Sequence, residues 1–323
     1  MYEEFYGFSE SPFSLTPDPK FFFFGESHIR AYELLRYGIY RGEGFMILTG
    51  DIGTGKTTLW RMALEKMEEN LYTAVLLNPF LSESDLLISI LQDFGVISRA
   101  PANSPSISRH DMLTKLNEFL LSIQTLNARA MVLIDEAQNI PVLTLEQIRI
   151  LSNLETEKKK LLQIVLVGQS ELKEVLARPQ LRQLNQRLSI RCELLPLSAD
   201  ETGQYIEHRL RIASENKQPR VTFNQGALKV VYSYSGGTPR LINLIAERCL
   251  IAGLASEATI IDRKIAKMAV SNLELRKVKR SVNREAPTEE GFPRSARIAI
   301  AAIGVAVLSV LILWAVSAGI FAH

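Results

Sequence analysis

The chain has 323 residues, of which 47% are hydrophobic and 22% are charged, so it is long enough for about two globular domains and too apolar for a disordered protein. Lys and Arg total 37 against 35 Asp and Glu, and this net charge of +2 excludes the strong basic excess of proteins that coat nucleic acid. The four histidines lack the spacing of metal ligands, so we expect metal chemistry, if any, to come from a bound ion such as Mg²⁺.

Short apolar runs of strand length alternate with helical stretches in the first part of the chain. The runs are Phe45–Thr49, Thr73–Leu77, Met131–Ile134, Leu162–Val167 and, more weakly, Ser189–Leu194. This alternation is typical of a parallel sheet with helices on both faces. We therefore predict an α/β domain over residues 1–195.

A glycine-rich turn follows the first predicted strand. Gly50-Asp51-Ile52-Gly53-Thr54-Gly55-Lys56-Thr57 matches the P-loop pattern G-x-x-x-x-G-K-[ST], and a helix-forming run begins at Thr58. In such a loop backbone N–H groups surround phosphate oxygens, the lysine neutralises the β- and γ-phosphates, and the threonine hydroxyl ligates Mg²⁺. We predict that residues 50–58 bind ATP, with Lys56 as a catalytic residue and Thr57 as a metal ligand.

Two carboxylates follow the predicted strand Met131–Ile134. They are Asp135 and Glu136. A carboxylate at the end of a strand beside a P-loop holds the Mg²⁺ shell, and the next one orients and polarises the attacking water. We therefore assign Asp135 to the metal and Glu136 to catalysis.

Three further polar residues have positions that suit phosphoryl transfer. Gln169 follows the strand Leu162–Val167 and could reach the γ-phosphate or the water; a helix or turn cap is the alternative. Arg182 and Arg187 precede the last predicted strand, where ring-forming ATPases place an arginine that enters the neighbouring subunit's site. We choose Arg187 first, with Arg182 as a second contact or a plain surface charge.

Beyond Pro196 the sequence predicts helices only. They are Ser198–Ser214, which opens with a capping box, Asn224–Tyr234, Thr238–Gly253 and Asp262–Arg276. We predict a helical lid domain over residues 196–275. Arg240 falls in the first turn of the third helix, where its charge opposes the helix dipole, so we predict a functional role in reading the γ-phosphate.

A basic linker and a long apolar segment complete the chain. Residues 276–297 contain seven basic and three acidic residues, and the next 25, Ile298–Ala322, carry no charge. At 1.5 Å per residue an apolar helix of this length spans roughly 37 Å, enough to cross a bilayer. By the positive-inside rule we predict a single-pass protein of the inner membrane with its ATPase domain in the cytoplasm and its C-terminus outside.

The order of these motifs resembles that of AAA+ ATPases. More narrowly, several segments are similar to the general secretion pathway protein A (ExeA-type) ATPases, which include related pilus-biogenesis and PEP-CTERM-locus secretion ATPases. The segments are Phe5–Phe8, Ser11–Phe13, Leu15–Pro19, Tyr37–Phe45 and Leu162–Gln169. The resemblance covers residues 1–275 and implies an ATP- and Mg²⁺-dependent homo-oligomer, a ring or partial ring, that assembles or remodels an envelope secretion or pilus apparatus together with its components.

Two other functions fit the same motifs. One is a DNA-associated ATPase of the transposition-helper or initiator type, although the near-neutral body and the apolar segment argue against a nucleic-acid partner. The other is a switch that binds ATP without appreciable turnover.

Overall fold

The computed structural model describes residues 1–66, 70–78, 80, 82–98, 107–156, 160–215 and 217–271. The predicted linker and the predicted membrane helix, residues 276–297 and 298–322, lie outside this set. Within it, no helix is both long and apolar enough to cross a membrane. Residues Met1–Val270 pack as one unit.

A five-stranded parallel sheet lies at the centre of this unit. Its strands are β1 (Phe45–Gly50), β2 (Leu71–Leu76), β3 (Arg129–Ile134), β4 (Leu162–Gly168) and β5 (Ile190–Leu194). They are arranged β2-β3-β4-β1-β5, so β4 lies between β1 and β3. The carboxyl ends of β1, β4 and β3 are therefore neighbours at one edge of the sheet. The predicted α/β fold with a parallel sheet is confirmed.

The central strands are buried on both faces, as expected of a parallel sheet covered by helices. All six residues of β1 and all seven of β4 are buried. Within β1, Phe45 and Ile47 belong to one hydrophobic core, whereas Met46 and Leu48 belong to the other. The continuous apolar runs in the sequence thus reflect two cores with one sheet between them.

Helices connect the strands and continue beyond β5. They are α1 (Tyr2–Tyr6), α2 (Glu26–Arg41), α3 (Lys56–Glu65), α4 (Glu83–Asp93), α5 (Arg109–Thr125), α6 (Val142–Leu151), α7 (Glu171–Leu176), α8 (Arg182–Gln186), α9 (Ala199–Ala213), α10 (Gln225–Ser235) and α11 (Pro239–Ala255), and residues 263–271 are also helical. Short 3₁₀ turns span Pro19–Phe21, Ala137–Asn139 and Pro179–Leu181.

The segment beyond β5 is helical apart from one small sheet. Two-residue strands, β6 (Thr222–Phe223) and β7 (Ile260–Ile261), pair in parallel. A strand of two residues is too short to show alternation, so the sequence gives no sign of it. The capping box of α9 forms as predicted, with Ser198 and Glu201 bonded reciprocally. The second carboxylate oxygen of Glu201 accepts a 2.7 Å hydrogen bond from the backbone N–H of Glu26, which joins the beginnings of α2 and α9.

The first residues of the chain pack on the helices beyond β5. The Tyr2 hydroxyl lies 2.8 Å from both carboxylate oxygens of Glu247 on α11. The Tyr6 hydroxyl donates to the carbonyl of Ala258, and the Ser9 N–H donates to the carbonyl of Ala213 at the end of α9. The N-terminal segment is therefore attached to α9 and α11, across the predicted domain boundary at residue 195.

Candidate functional site

The P-loop occupies the turn between β1 and α3. Gly53 and Gly55 have φ angles of +83° and +99°, which favour glycine. A Cβ at Gly53 would stand 2.6 Å from the Cβ of Arg240, so only glycine fits against α11 there. Helix α3 begins at Lys56, earlier than the predicted start at Thr58, and Gly55 is its N-cap residue.

The ammonium group of Lys56 is held inside this loop. Its Nζ donates to the carbonyls of Gly50 at 2.8 Å and Asp51 at 3.0 Å, and the residue is only 7% exposed. Burial lowers the pKa of Lys56, while the nearby carboxylates, Glu136 first, oppose that shift. A cation held by the backbone carbonyls of a glycine-rich loop at a helix N-terminus suits an anionic ligand such as a triphosphate.

Asp135 lies at the end of β3 and is buried against α3. Its Oδ2 accepts hydrogen bonds from the Thr57 hydroxyl at 3.0 Å and from the Trp60 indole N–H at 3.3 Å. Its Oδ1 accepts one from the backbone N–H of Glu136 at 2.9 Å. Trp60 was not singled out from the sequence; its signal is the three-residue spacing from Thr57, which places both on one helix face.

Thr57 and Asp135 provide a pair of oxygen donors suited to Mg²⁺. Their oxygens are 3.0 Å apart, and Mg²⁺ favours carboxylate and hydroxyl oxygens completed by water and phosphate. In the described part of the chain, no group of three His, Cys, Asp or Glu could hold a metal by itself. A metal here would therefore take its remaining oxygens from phosphate and water.

Glu136 has a left-handed backbone conformation with φ of +53°. Such a conformation is uncommon for a residue other than glycine and clusters at functional sites. Its Oε2 accepts a 2.7 Å hydrogen bond from the amide of Gln138 and a longer one of 3.4 Å from that of Gln169. The Gln138 oxygen in turn accepts from the backbone N–H of Gln169. Gln138, which no motif indicated, thus links the ends of β3 and β4.

A cavity of about 500 Å³ opens over the P-loop. On the sheet side it is lined by predicted site residues, namely Ile52, Gly53, Gly55, Lys56, Thr57, Thr58, Glu136 and Gln169. Residues 14–18 and 21–23 of the N-terminal segment and side chains of α9 and α11, among them the exposed Arg240, form the other walls. The backbone N–H of Arg240 donates to the Gly53 carbonyl at 3.3 Å, so α11 begins against the P-loop.

The two other predicted arginines do not line this cavity. Arg187 is exposed and donates to the hydroxyl of Ser152 at 2.9 Å and to the side-chain oxygen of Asn153. Arg182 is also exposed, at the start of α8. Neither reaches the site of its own chain, so their predicted roles in a neighbouring subunit stay predictions.

His28 of α2 is a further residue at the P-loop that sequence reasoning missed. Its Nε2 lies 2.8 Å from the carbonyl of Thr54, and the side chain is 2% exposed. Burial lowers the pKa of His28, which favours a neutral ring whose Nε2–H donates to that carbonyl. The ring packs edge-to-face with Phe22 of the N-terminal segment, with the two ring centroids 5.6 Å apart.

Residues 39–176 match the protein family described as AAA domain. Over 255 residues the chain is 44% identical to general secretion pathway protein A of Aeromonas hydrophila, and the match covers 79% of this chain and 45% of that relative. The chain thus spans less than half the length of this relative. The resemblance to the general secretion pathway protein A family is confirmed: the chain carries an AAA domain, a nucleotide-binding type of domain, and is related to that protein.

Solved structures agree with the fold. The ORC2 protein of Aeropyrum pernix is 17% identical and superposes with a TM-score of 0.58, covering 82% of this chain and 72% of that one. Cdc6p of Pyrobaculum aerophilum is 16% identical with a TM-score of 0.53, covering 78% and 67%. At these identities the likeness shows the AAA-type α/β fold alone.

Proposed function

We propose that this protein is a membrane-tethered ATPase that hydrolyses ATP with Mg²⁺ and uses the cycle to assemble or remodel a bacterial envelope secretion or pilus apparatus. The proposal that the protein hydrolyses ATP rests on how four side chains are arranged at the carboxyl edge of the sheet. Lys56 and Thr57 face the cavity, Asp135 lies behind Thr57, and Glu136 stands beside them. These are the groups that phosphoryl transfer to water requires.

The P-loop would bind the triphosphate. Its backbone N–H groups and the N-terminus of α3 favour negative charge, and the Lys56 ammonium is already held at the loop, so little ordering is needed on binding. Thr57 and Asp135 would hold Mg²⁺, which supplies neutralisation of the phosphate charge when bound.

Glu136 would orient the attacking water and accept its proton. The hydrogen bonds from Gln138 and Gln169 fix the carboxylate in position. They also place the Gln169 amide next to it, where it could contact the water or the γ-phosphate. The left-handed backbone of Glu136 is the strain that this placement requires.

Arg240 and Arg187 would connect the site to motion and to assembly. Because α11 begins against Gly53, a triphosphate bound by Arg240 would hold the helical lid, residues 196–275, against the P-loop. Arg187 is exposed and would complete the site of the next subunit in a homo-oligomeric ring or partial ring, with Arg182 as a second contact.

The cellular part of the proposal rests on two observations. The relative that matches most of this chain is called general secretion pathway protein A. The uncharged run Ile298–Ala322 follows a basic linker, which suits an inner-membrane anchor with the ATPase in the cytoplasm. Secretion or pilus components recovered with the detergent-solubilised protein would support this role. Salt-dependent DNA binding by the same preparation would instead favour the DNA-associated ATPase.

The experiment that tests hydrolysis compares Lys56→Ala and Glu136→Gln in the full chain. We expect Lys56→Ala to lose tight ATP binding, because charge-assisted bonds to phosphate of roughly 1.5–3 kcal/mol disappear. Glu136→Gln should keep ATP binding and lose turnover, because it acts on the water. Lys229→Ala on the exposed side of α10 is the control for a removed lysine. Turnover at the wild-type rate in both site variants would show the assignment to be wrong. A wild-type chain that binds ATP and does not hydrolyse it would favour the non-hydrolysing switch.

A further inference from the structure

Three buried polar side chains at one end of the cavity take no part in the proposed hydrolysis. They are Tyr205 and Arg209, one turn apart on α9, and Asn243 on α11, with exposures of 5%, 7% and 6%. All three line the cavity. Buried polar groups are costly unless they are bonded, so their arrangement shows which groups are left for a ligand.

The three side chains form a hydrogen-bonded relay with a fixed direction. Arg209 Nη1 donates to the Tyr205 hydroxyl at 2.8 Å, and that hydroxyl donates to Asn243 Oδ1 at 2.7 Å. A guanidinium only donates, so the tyrosine oxygen accepts from it and gives its own hydrogen to Asn243. The Asn243 oxygen is thereby occupied, and among the described residues its amide nitrogen donates to no partner.

The start of the relay is anchored to the N-terminal segment. Arg209 Nε donates to the carbonyl of Pro12, and its guanidinium lies over the Phe21 ring, 4.9 Å from the centroid. Burial raises the pKa of Tyr205, so its hydroxyl keeps the hydrogen that the relay needs. The orientation of the Asn243 amide is therefore set by contacts on its far side, before any ligand binds.

The surroundings of Asn243 suit a flat heterocycle attached to a triphosphate. Phe22, Phe23 and Pro239 line the same cavity and provide aromatic and apolar surface. On α11, Asn243 follows Arg240 by one helical turn, and the backbone of Arg240 touches the P-loop at Gly53. One cavity of about 500 Å³ thus has a phosphate-binding end and an end with free N–H donors.

We propose that Asn243, oriented by Tyr205 and Arg209, binds the purine base of the nucleotide by donating an N–H to a ring-nitrogen acceptor. The inference rests on the proposed ATP site and assigns its base-binding residue. Tyr205 and Arg209 are positioning residues, since they act through Asn243.

The test separates the base from the phosphates. The affinity of the full chain in mild detergent is measured calorimetrically for Mg²⁺–ATP, for Mg²⁺–ribose 5′-triphosphate, which lacks only the base, and for Mg²⁺–tripolyphosphate, which lacks base and ribose. We expect wild type to bind ATP more tightly than either of the other two. Asn243→Ala should weaken the affinity for ATP about tenfold, the equivalent of one hydrogen bond, and leave the affinities for ribose 5′-triphosphate and tripolyphosphate unchanged. Retained tripolyphosphate affinity also shows that the variant is folded, and Gln225→Ala, an exposed amide on α10, should change none of the three affinities.

A second variant tests the positioning role. Tyr205→Phe keeps the ring and removes the hydroxyl, which frees the amide of Asn243 to turn. We expect it to weaken ATP binding severalfold in wild type and to have no further effect in the Asn243→Ala background, because the relay ends at that amide.

Four results would overturn the inference. Asn243→Ala could weaken the affinities for ATP and ribose 5′-triphosphate equally, or it could weaken neither affinity. In both cases the base is recognised elsewhere, and the proposed ATP site is unaffected. Wild type could also bind ATP no more tightly than ribose 5′-triphosphate, and this result would likewise count against base recognition by Asn243 and leave the proposed ATP site unaffected. A wild-type chain that binds none of the three ligands overturns the proposed ATP site together with this inference.

Discussion

The indole of Trp60 offers a test of the metal site that leaves all proposed ligands in place. Trp60 is 5% exposed and donates to Asp135 Oδ2, the oxygen that also accepts from Thr57. Trp60→Phe keeps an aromatic ring in the core and removes this donor together with part of the ring volume. We expect Asp135 to be less firmly oriented, so Mg²⁺ should bind more weakly.

The size of the effect follows from the bond. A hydrogen bond to a charged group contributes roughly 1.5–3 kcal/mol, and the N···O distance of 3.3 Å places this one at the weak end. About 1.5 kcal/mol corresponds to a shift of roughly tenfold in the Mg²⁺ concentration that gives half-maximal ATPase activity. The rate at saturating Mg²⁺ should stay close to wild type, because the water-orienting Glu136 is untouched.

The assay is a Mg²⁺ titration of the ATPase rate at saturating ATP. The chain has two tryptophans, and Trp314→Phe, in the apolar segment, is the matched control. If Trp60→Phe leaves the Mg²⁺ midpoint within twofold of wild type while its thermal unfolding is also unchanged, the indole does not orient Asp135 and the reasoning fails.

Three other outcomes follow from the structure. Gly237→Ala should lower the free energy of unfolding by more than about 3 kcal/mol, because a Cβ there would lie 1.8 Å from a backbone oxygen, whereas Gly236→Ala, also at positive φ but with open space, should lose only about 1–2 kcal/mol; equal losses in denaturant titrations would contradict this. Arg187→Ala should bind ATP, lose turnover, and recover part of it when mixed with Lys56→Ala; a mixture without recovery counts against a shared site. Because burial depresses the pKa of His28 below the ordinary histidine value of 6.5, the stability that its neutral form provides is present above that pH and is lost as the pH falls below it. His28→Gln should reduce this acid-side loss, and an unchanged pH profile of unfolding would refute it.

The parts of this structure that were predictable are local in sequence. The buried strands appear as apolar runs because both faces of a parallel strand are covered, and the P-loop is defined within eight consecutive residues. The edge strand β2 was placed less well, at Thr73–Leu77 in place of Leu71–Leu76. Only Ala74 and Leu76 of this strand are buried, so its apolar signal is weaker.

The parts that were missed depend on which elements become neighbours. Gln138 meets Gln169 because β4 lies between β1 and β3, an order that no local pattern encodes. The relay from Arg209 through Tyr205 to Asn243 joins two helices and the N-terminal segment, so each residue by itself looks like an ordinary core or surface position. The family-like segment Leu15–Pro19 carries no motif that indicates a role, and the structure places its residues 15–18 on the wall of the cavity.

The contacts of the N-terminal segment indicate how this site would open. Its first part is bonded to α9 and α11 through Tyr2, Tyr6 and Ser9, whereas α2, which follows it, is bonded to the P-loop through His28. A displacement of α9 and α11 from the sheet would therefore carry residues 1–13 with the helices, and it would have to break the Glu26–Glu201 hydrogen bond that joins α9 to α2. The change must be absorbed by residues 14–24, which include the cavity wall. We therefore expect opening of the nucleotide site and rearrangement of that wall to be one motion, because the same stretch of chain is tied at its two ends to the two parts that separate.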